Sequence, residues 1–420
     1  MKKIYPLLLF SIFVHFAFAQ TNGCDNSRYI NEIFTDVDSV TIKFGENTPF
    51  GMSTKQELYM NIYEPSGDTR TDRPVVIMAF GGAYIQGTRG DGYVVRECER
   101  FARKGFVSVS VDYRIFRLAG TLPDSLGMLD IITKSIADMK ASIRTLRKSV
   151  DDGNPYGIDP DLIFTGGFSA GAITAMHTAH LGEDDTANLP QYVIDGVNAN
   201  GGWEGDTDDP DNSALSYSSE VSGVVNYFGA LHRRNWIDSD DPPFISLHGT
   251  ADPIVPYGHG IVTLIGLNLG SLEGSGALHP VAKTEGVINK LISVPGGGHG
   301  DNFPQIFWDS MAVDSGRFLE QLVCGTGGGV NIDDTEDVSQ YITLAPNPAI
   351  KQTVINFNDL NKSHSISLYN TFGQLIVYYD NQNNNEFRLE RGELPAGVYV
   401  IQIKFDDTDI APVNRRVIFR

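Results

Sequence analysis

The stretch Ile163-Phe-Thr-Gly-Gly167-Phe-Ser169-Ala-Gly171-Ala-Ile-Thr-Ala-Met176 carries the reading of the whole chain. Its first residues are an apolar, β-favouring run and its last have helical spacing, so Ser169 falls on a tight strand-to-helix turn. Such a turn demands small residues two positions away on each side, because a Cβ there would strike the backbone it faces, and Gly167 and Gly171 supply them. The turn lifts the hydroxyl into the open, and the helix N-terminus behind it favours negative charge developing nearby.

Outward from this turn, residues 38–324 alternate apolar runs with amphipathic stretches, the pattern of an α/β domain with a doubly wound, mostly parallel sheet covered by helices. Strands are expected at Leu58–Tyr63, Pro74–Phe80, Phe106–Tyr113, Leu162–Phe168, Gly223–Phe228, Phe244–His248 and Lys290–Val294. Several are continuous apolar runs, as strands buried on both faces should be. Ile132, Ile136, Met139, Ile143 and Leu146 recur at helical spacing and predict a crossover helix, and a second helix is expected over Ile306–Leu322.

Three further loops follow expected strands and bear polar or glycine signatures. Phe80-Gly-Gly82-Ala83-Tyr84 places the backbone N–H groups of Gly82 and Ala83 where, with that of Ala170, they would surround an oxyanion. His248-Gly-Thr-Ala-Asp252 offers Asp252 as the acid that orients a base. Gly296-Gly-Gly-His299-Gly300 offers His299 as that base, in a loop flexible enough to bring imidazole over a serine. Loops at the carboxyl ends of parallel strands gather on one sheet edge. His248, His259 and His279 are rival bases, and Asp241 and Asp309 rival acids, but none shares the strand-then-glycine setting of His299 and Asp252. The acidic run Glu204 to Asp211 lacks the spacing of a calcium loop and reads as a solvated face. Trp203 and Tyr84 are candidates for a pocket border, with simple packing as the alternative.

On these motifs, residues 50–322 resemble the secreted carboxylesterase and lipase branch of the α/β-hydrolases related to hormone-sensitive lipase and to feruloyl or acetyl xylan esterases. Val111-Asp-Tyr-Arg114 and Tyr156-Gly-Ile-Asp-Pro-Asp-Leu-Ile163 look like the same branch. The resemblance implies a serine carboxylic ester hydrolase with Ser169 as nucleophile, His299 as base and Asp252 as orienting acid. Its substrate would be a small-molecule or polymer-borne ester, and no metal or organic cofactor would be needed. The family usually has histidine where this chain has Phe80, so the oxyanion loop must be braced differently here. Two other functions share the fold: a prolyl-oligopeptidase-like serine peptidase, and a surface-binding protein without catalysis.

The 420 residues carry a net charge of −20, which excludes nucleic acid or an anionic membrane surface as a partner on long-range repulsion. Residues 1–20 have the basic start, apolar middle and small-residue end of a signal peptide. The apolar part falls short of a membrane span, and no transmembrane segment is expected in the mature chain. Of three cysteines, Cys98 shares a helical face with Val94 and Phe101 and reads as a packed thiol. Cys24 and Cys324 are left to pair in the oxidising exterior, tying the N-terminus to the end of the catalytic domain (residues 21–324).

Residues 325–340 have the Gly-rich, acidic composition of a linker. Residues 341–420 change to short alternating runs broken by Pro, Gly and Asn, the texture of a small C-terminal β-sandwich. Strands are expected at Ser365–Tyr369, Gln374–Tyr379, Val398–Phe405 and Val413–Phe419. Through Leu344-Ala-Pro-Asn-Pro348, Leu368-Tyr-Asn-Thr-Phe-Gly-Gln374, Leu394-Pro-Ala-Gly-Val-Tyr399 and Arg415-Arg416, this tail resembles the sorting domain of type IX secretion substrates. That implies the type IX machinery as a partner and export through the periplasm to the cell surface or medium. A carbohydrate-binding or adhesive module is the other reading of such a sandwich.

Overall fold

The computed structural model describes residues 23–25, 27–116, 123–183, 189–207, 213–264, 267–325, 342–358, 360, 362–370, 375–406 and 413–420. The expected signal peptide and, apart from Gly325, the expected linker lie outside the described residues.

In chain order the first domain contains β1 (Val37–Asn47), β2 (Gln56–Pro65), β3 (Arg73–Ala79), α1 (Gly92–Arg103), β4 (Val107–Val111), α2 (Ser125–Asp151), β5 (Ile158–Phe168), α3 (Ala170–His180), α4 (Gln191–Ala199), β6 (Val224–Tyr227), β7 (Ala230–Leu231), β8 (Phe244–Gly249), β9 (His259–Leu264), β10 (Leu267–Gly274), α5 (Ser275–Glu285), β11 (Asn289–Val294) and α6 (Gln305–Cys324). One large sheet has the order β1-β2-β4-β3-β5-β6-β8-β11. Strands β4, β3, β5, β6, β8 and β11 run parallel, and β2 and β1 join antiparallel at one edge.

Burial explains the composition of these strands. Every residue of β3, β4, β6 and β8 is buried because helices cover both faces, and all but Arg73, Asn226 and His248 are apolar or small. Strand β1, polar and largely exposed at the edge, gave no apolar run to read. The small antiparallel sheet β7-β10-β9 was likewise not anticipated, since its strands are short or interrupted by glycine. Helix α2 extends well beyond the expected stretch in both directions and buries Ile136, Met139, Ile143 and Leu146 on one face; Asp124 caps it by accepting from Gly127 N–H (2.9 Å). Helices α1 and α6 share the opposite face, where Lys104 at the end of α1 donates to the carbonyl of Ala312 in α6. Cys98 is fully buried in α1 between Val94 and Phe101, and burial pushes its thiol well above the ordinary range.

The strand order reverses between β3 and β5. The chain moves from β3 to β4 on one side, then returns across β3 to β5 and continues outward to β6, β8 and β11. A crevice opens at the carboxyl ends of strands at such a switch point. The loop after β3 and the turn after β5 carry the glycine motifs read from the sequence.

The tail contains β12 (Thr343–Ala345), β13 (Gln352–Asn356), β14 (His364–Asn370), β15 (Leu375–Gln382), β16 (Glu386–Glu390), β17 (Gly397–Phe405) and β18 (Val413–Phe419). They form two antiparallel sheets, β12-β13-β16 and β15-β14-β17-β18. A separate core that includes Ile355, Phe357, Leu368, Leu389, Ile401 and Val417 lies between them, giving a β-sandwich. Cys24 and Cys324 are bonded, with Cα atoms 5.7 Å apart, so the first described residues are fastened to the last residue of α6.

Candidate active site

Ser169 occupies the turn between β5 and α3 with φ 53° and ψ −117°, a conformation that a non-glycine residue holds only when its surroundings force it. Its N–H donates to Tyr227 O (2.9 Å), tying the turn to β6. The flanking glycines are obligatory. A Cβ on Gly167 would stand 2.5 Å from the carbonyl carbon of Gly171, and one on Gly171 would stand 2.4 Å from the carbonyl oxygens of both Ala79 and Phe80. The second contact shows why the helix can sit so close to the end of β3.

Ser169, Asp252 and His299, far apart in the chain, meet at this edge. The Ser169 hydroxyl donates to His299 Nε2 (2.7 Å), and His299 Nδ1–H donates to Asp252 Oδ2 (2.7 Å). The Asp252 acceptor fixes the imidazole tautomer, leaving Nε2 as the nitrogen that faces the serine. Asp252 follows β8, and its side chain has no solvent exposure, whereas His299 follows β11 and its side chain keeps 14%. Burial pushes the Asp252 carboxyl up, but hydrogen bonds from His248, His299 and the backbone N–H of Ile254 outweigh it and hold the group well below the usual carboxylate range. It is therefore a carboxylate throughout the neutral range.

Gly82, Ala83 and Tyr84 have φ of 123°, 54° and 63°, three successive residues in left-handed or rarer backbone that shape the loop after β3. Among the described residues, no protein acceptor is paired with the N–H groups of Gly82, Ala83 or Ala170. Tyrosines brace this loop where histidine is missing. Tyr113 stacks on Phe80 (ring centroids 4.2 Å) and donates to Phe80 O (2.8 Å). The Tyr93 hydroxyl accepts from Gly81 N–H (2.9 Å), and the Tyr84 hydroxyl donates to Ala170 O (2.9 Å) beneath α3. Tyr84 is thus buried packing.

The rival residues lie in other contacts. His259 faces Glu273 (3.4 Å) and the His279 ring nitrogen Nδ1 bonds Asn289 (2.7 Å). Asp241 faces His180 (3.3 Å), and Asp309 accepts from Gln305 (2.9 Å) on an exposed helix face. Trp203 packs against a satellite core that includes Ile136, Leu181 and Trp236. The run beginning at Glu204 is more than a solvated face. Glu204 pairs with the buried Arg144 (2.9 Å) and Asp206 with the buried Arg114 (2.7 Å), because both guanidinium groups need a partner once removed from water.

Sequence reading passed over Phe228 and Tyr93, and weighed His248 only as a rival base. Phe228, at the carboxyl end of β6, has φ 46° and sets its ring against His299 (centroids 4.8 Å). Tyr93, the second residue of α1, anchors Gly81, and His248 lies against Asp252. Position at a strand's carboxyl end was the available signal for Phe228.

Residues 60–263 match the BD-FAE family model, and residues 343–418 match the model of the secretion system C-terminal sorting domain. Among curated proteins, the chain is similar to Esterase LipQ of Mycobacterium tuberculosis, 29% identical over 50% of this chain and 49% of that protein. It is also similar to Lipase 1 of Geotrichum candidum, 31% identical over 34% of this chain and 26% of that protein. The chain thus spans about half or less of the length of the curated relatives it matches. The propionate-bound structure of Est2, a thermophilic esterase from Thermogutta terrifontis, aligns with 68% of this chain and 94% of its own at 19% identity and a TM-score of 0.46. The chain is thus similar over residues 60–263 to the α/β-hydrolase esterase family represented by BD-FAE, and over residues 343–418 to the secretion system C-terminal sorting domain.

Proposed function

We propose that this protein is a secreted serine carboxylic ester hydrolase that works through an acyl-enzyme on Ser169. The observation that carries the reading is the unbroken hydrogen-bonded line from the Ser169 hydroxyl through the His299 ring to the buried Asp252 carboxylate. As Ser169 Oγ attacks the ester carbonyl, its proton passes to His299 Nε2, and Asp252 stabilises the imidazolium that forms. The N–H groups of Gly82, Ala83 and Ala170 receive the tetrahedral oxyanion, each donor lowering the barrier by about 3 kcal/mol. The alcohol departs with the proton held by His299. Water, deprotonated by the same imidazole, then attacks the acyl carbonyl and returns the serine. Activity falls on acidification, because a protonated ring cannot take the serine's proton.

The names of the relatives, an esterase and a lipase, favour ester over amide substrates. The sorting domain indicates secretion, and among the described residues no helix is long and apolar enough to cross a membrane. We assign the sorting step to the type IX machinery, with delivery through the periplasm to the cell surface or medium. The test is Ser169→Ala on the purified chain with a p-nitrophenyl acyl ester. Turnover should fall by at least about 10⁴-fold, and labelling by a fluorophosphonate probe should vanish while the circular dichroism spectrum is retained. Undiminished turnover in this variant overturns the assignment.

A further inference from the structure

His248 has no part in the proton transfers above, yet it is fully buried in β8 and lies against the acid of the candidate triad. Its two ring nitrogens face different chemistry. Nδ1 is 2.9 Å from Ser275 Oγ and 3.5 Å from the Ser275 backbone nitrogen, whose N–H can only donate. Nδ1 is therefore an acceptor, and the ring proton resides on Nε2. That nitrogen is 3.2 Å from Val255 O and 3.4 Å from Asp252 Oδ2, both of which can only accept. The tautomer is fixed from both sides. Behind it, Asn226 donates to Ser246 Oγ (2.9 Å) and lies 3.4 Å from Ser275 Oγ, extending the buried polar group.

Seen from Asp252, His248 completes a set. Oδ1 accepts from the N–H groups of Ile254 (2.8 Å) and Val255 (3.0 Å), and Oδ2 accepts from His299 Nδ1 (2.7 Å). A carboxylate offers about four lone-pair sites, and the remaining one faces His248 Nε2. We propose that His248 is a positioning residue for the triad: its Nε2–H holds the open side of the Asp252 carboxylate, fixes the oxygen that faces His299 and draws off part of its charge. The proposal rests on the ester hydrolase reading above.

Without that donor, Oδ2 would attract the His299 imidazolium more strongly, so the base would stay protonated to higher pH, and the carboxylate would be freer to turn. Other groups around the pair would be unchanged. Tyr257 sets its ring edge-on to His248 (centroids 5.5 Å) with its hydroxyl on Ser293 Oγ (2.7 Å), and Glu273, on the strand leading to Ser275, is held by Arg234 and His259. In the loop of His299, Asp301 lies near Gly298, the Phe228 ring covers the imidazole, and Arg416 of the tail approaches Gly296.

The test uses two amides of different reach in the full chain. His248→Gln sets its amide nitrogen where Nε2 was and keeps a donor toward Asp252, whereas His248→Asn sets its amide at the Nδ1 position and loses that donor. For p-nitrophenyl ester hydrolysis, His248→Asn should lower kcat about ten-fold with little change in KM, and move the acid limb of kcat up by about half a pH unit. His248→Gln should return both toward the wild type. A limb that stays in place in His248→Asn, or equal impairment of the two variants with no movement of the limb, overturns the proposal. Should either variant fail to fold, ¹⁵N-histidine spectra of the wild-type chain decide it: an Nδ1–H tautomer at His248 contradicts the proposal, and an Nε2–H tautomer supports it. Those spectra need no turnover, so a wild-type chain that hydrolyses no ester would remove the parent reading and be told apart from failure here.

Discussion

At Gly171 a methyl group has nowhere to go. The nearest atoms are backbone carbonyls of Ala79 and Phe80 at the end of β3, which cannot swing aside as the tip of a side chain can. Gly171→Ala should therefore push α3 off β3, lowering stability by roughly 1–3 kcal/mol and slowing fluorophosphonate labelling of Ser169 much more than the stability loss explains. Urea midpoints and labelling rates, measured together, check this, and labelling at the wild-type rate would contradict it. Ser169, Asp252 and His299 could each be read from the sequence because each lies in a local signature, a strand running into small residues. Tyr93 and Phe228 could not, and His248 could be read only as a rival base. Their roles arise from contacts between elements distant in the chain, and an isolated Tyr, Phe or His gives no local sign of what will pack against it.

Among the elements, the central strands were legible because double burial forces continuous apolar runs, and α2 because burial of one face forces a helical period. Strand β1 was not, since an exposed edge leaves composition unconstrained, and neither was the β7-β10-β9 sheet, whose strands are short or interrupted by glycine. The contact between α1 and α6 carries a charge that no pattern disclosed. Lys104, only 3% exposed, has its amine pushed down from 10.5 to about 8 by burial. For a base whose folded pKa lies below its unfolded value, the unfolded chain binds the extra proton between the two values, so stability rises with pH across that window. The penalty, roughly 3 kcal/mol, is present below about pH 8 and is relieved as the pH rises toward 10.5. Lys104→Met, which keeps the volume and drops the charge, should remove this slope. Denaturant midpoints of both proteins from pH 7 to pH 10 should show the wild type gaining on the variant, and parallel curves would refute the account.

For the whole molecule, the division into an α/β body and a β-sandwich tail was visible as a change of texture after residue 340, while the pairing of Cys24 with Cys324 followed from the isolation of Cys98 on a buried helix face. A bond that closes 300 residues removes much of the freedom of the unfolded chain, by up to about 5 kcal/mol. Cys24→Ser should lower the unfolding temperature by several degrees while leaving ester turnover at 25 °C within about two-fold, as calorimetry and a p-nitrophenyl assay would show. An unchanged unfolding temperature would mean the clasp adds nothing. Because Cys324 is the last residue of α6 and the tail begins beyond it, a protease that severs the chain anywhere after Gly325 liberates a body whose two ends are already knotted to each other. Shedding the tail would leave Cys24 and the end of α6 still held to each other by that bond.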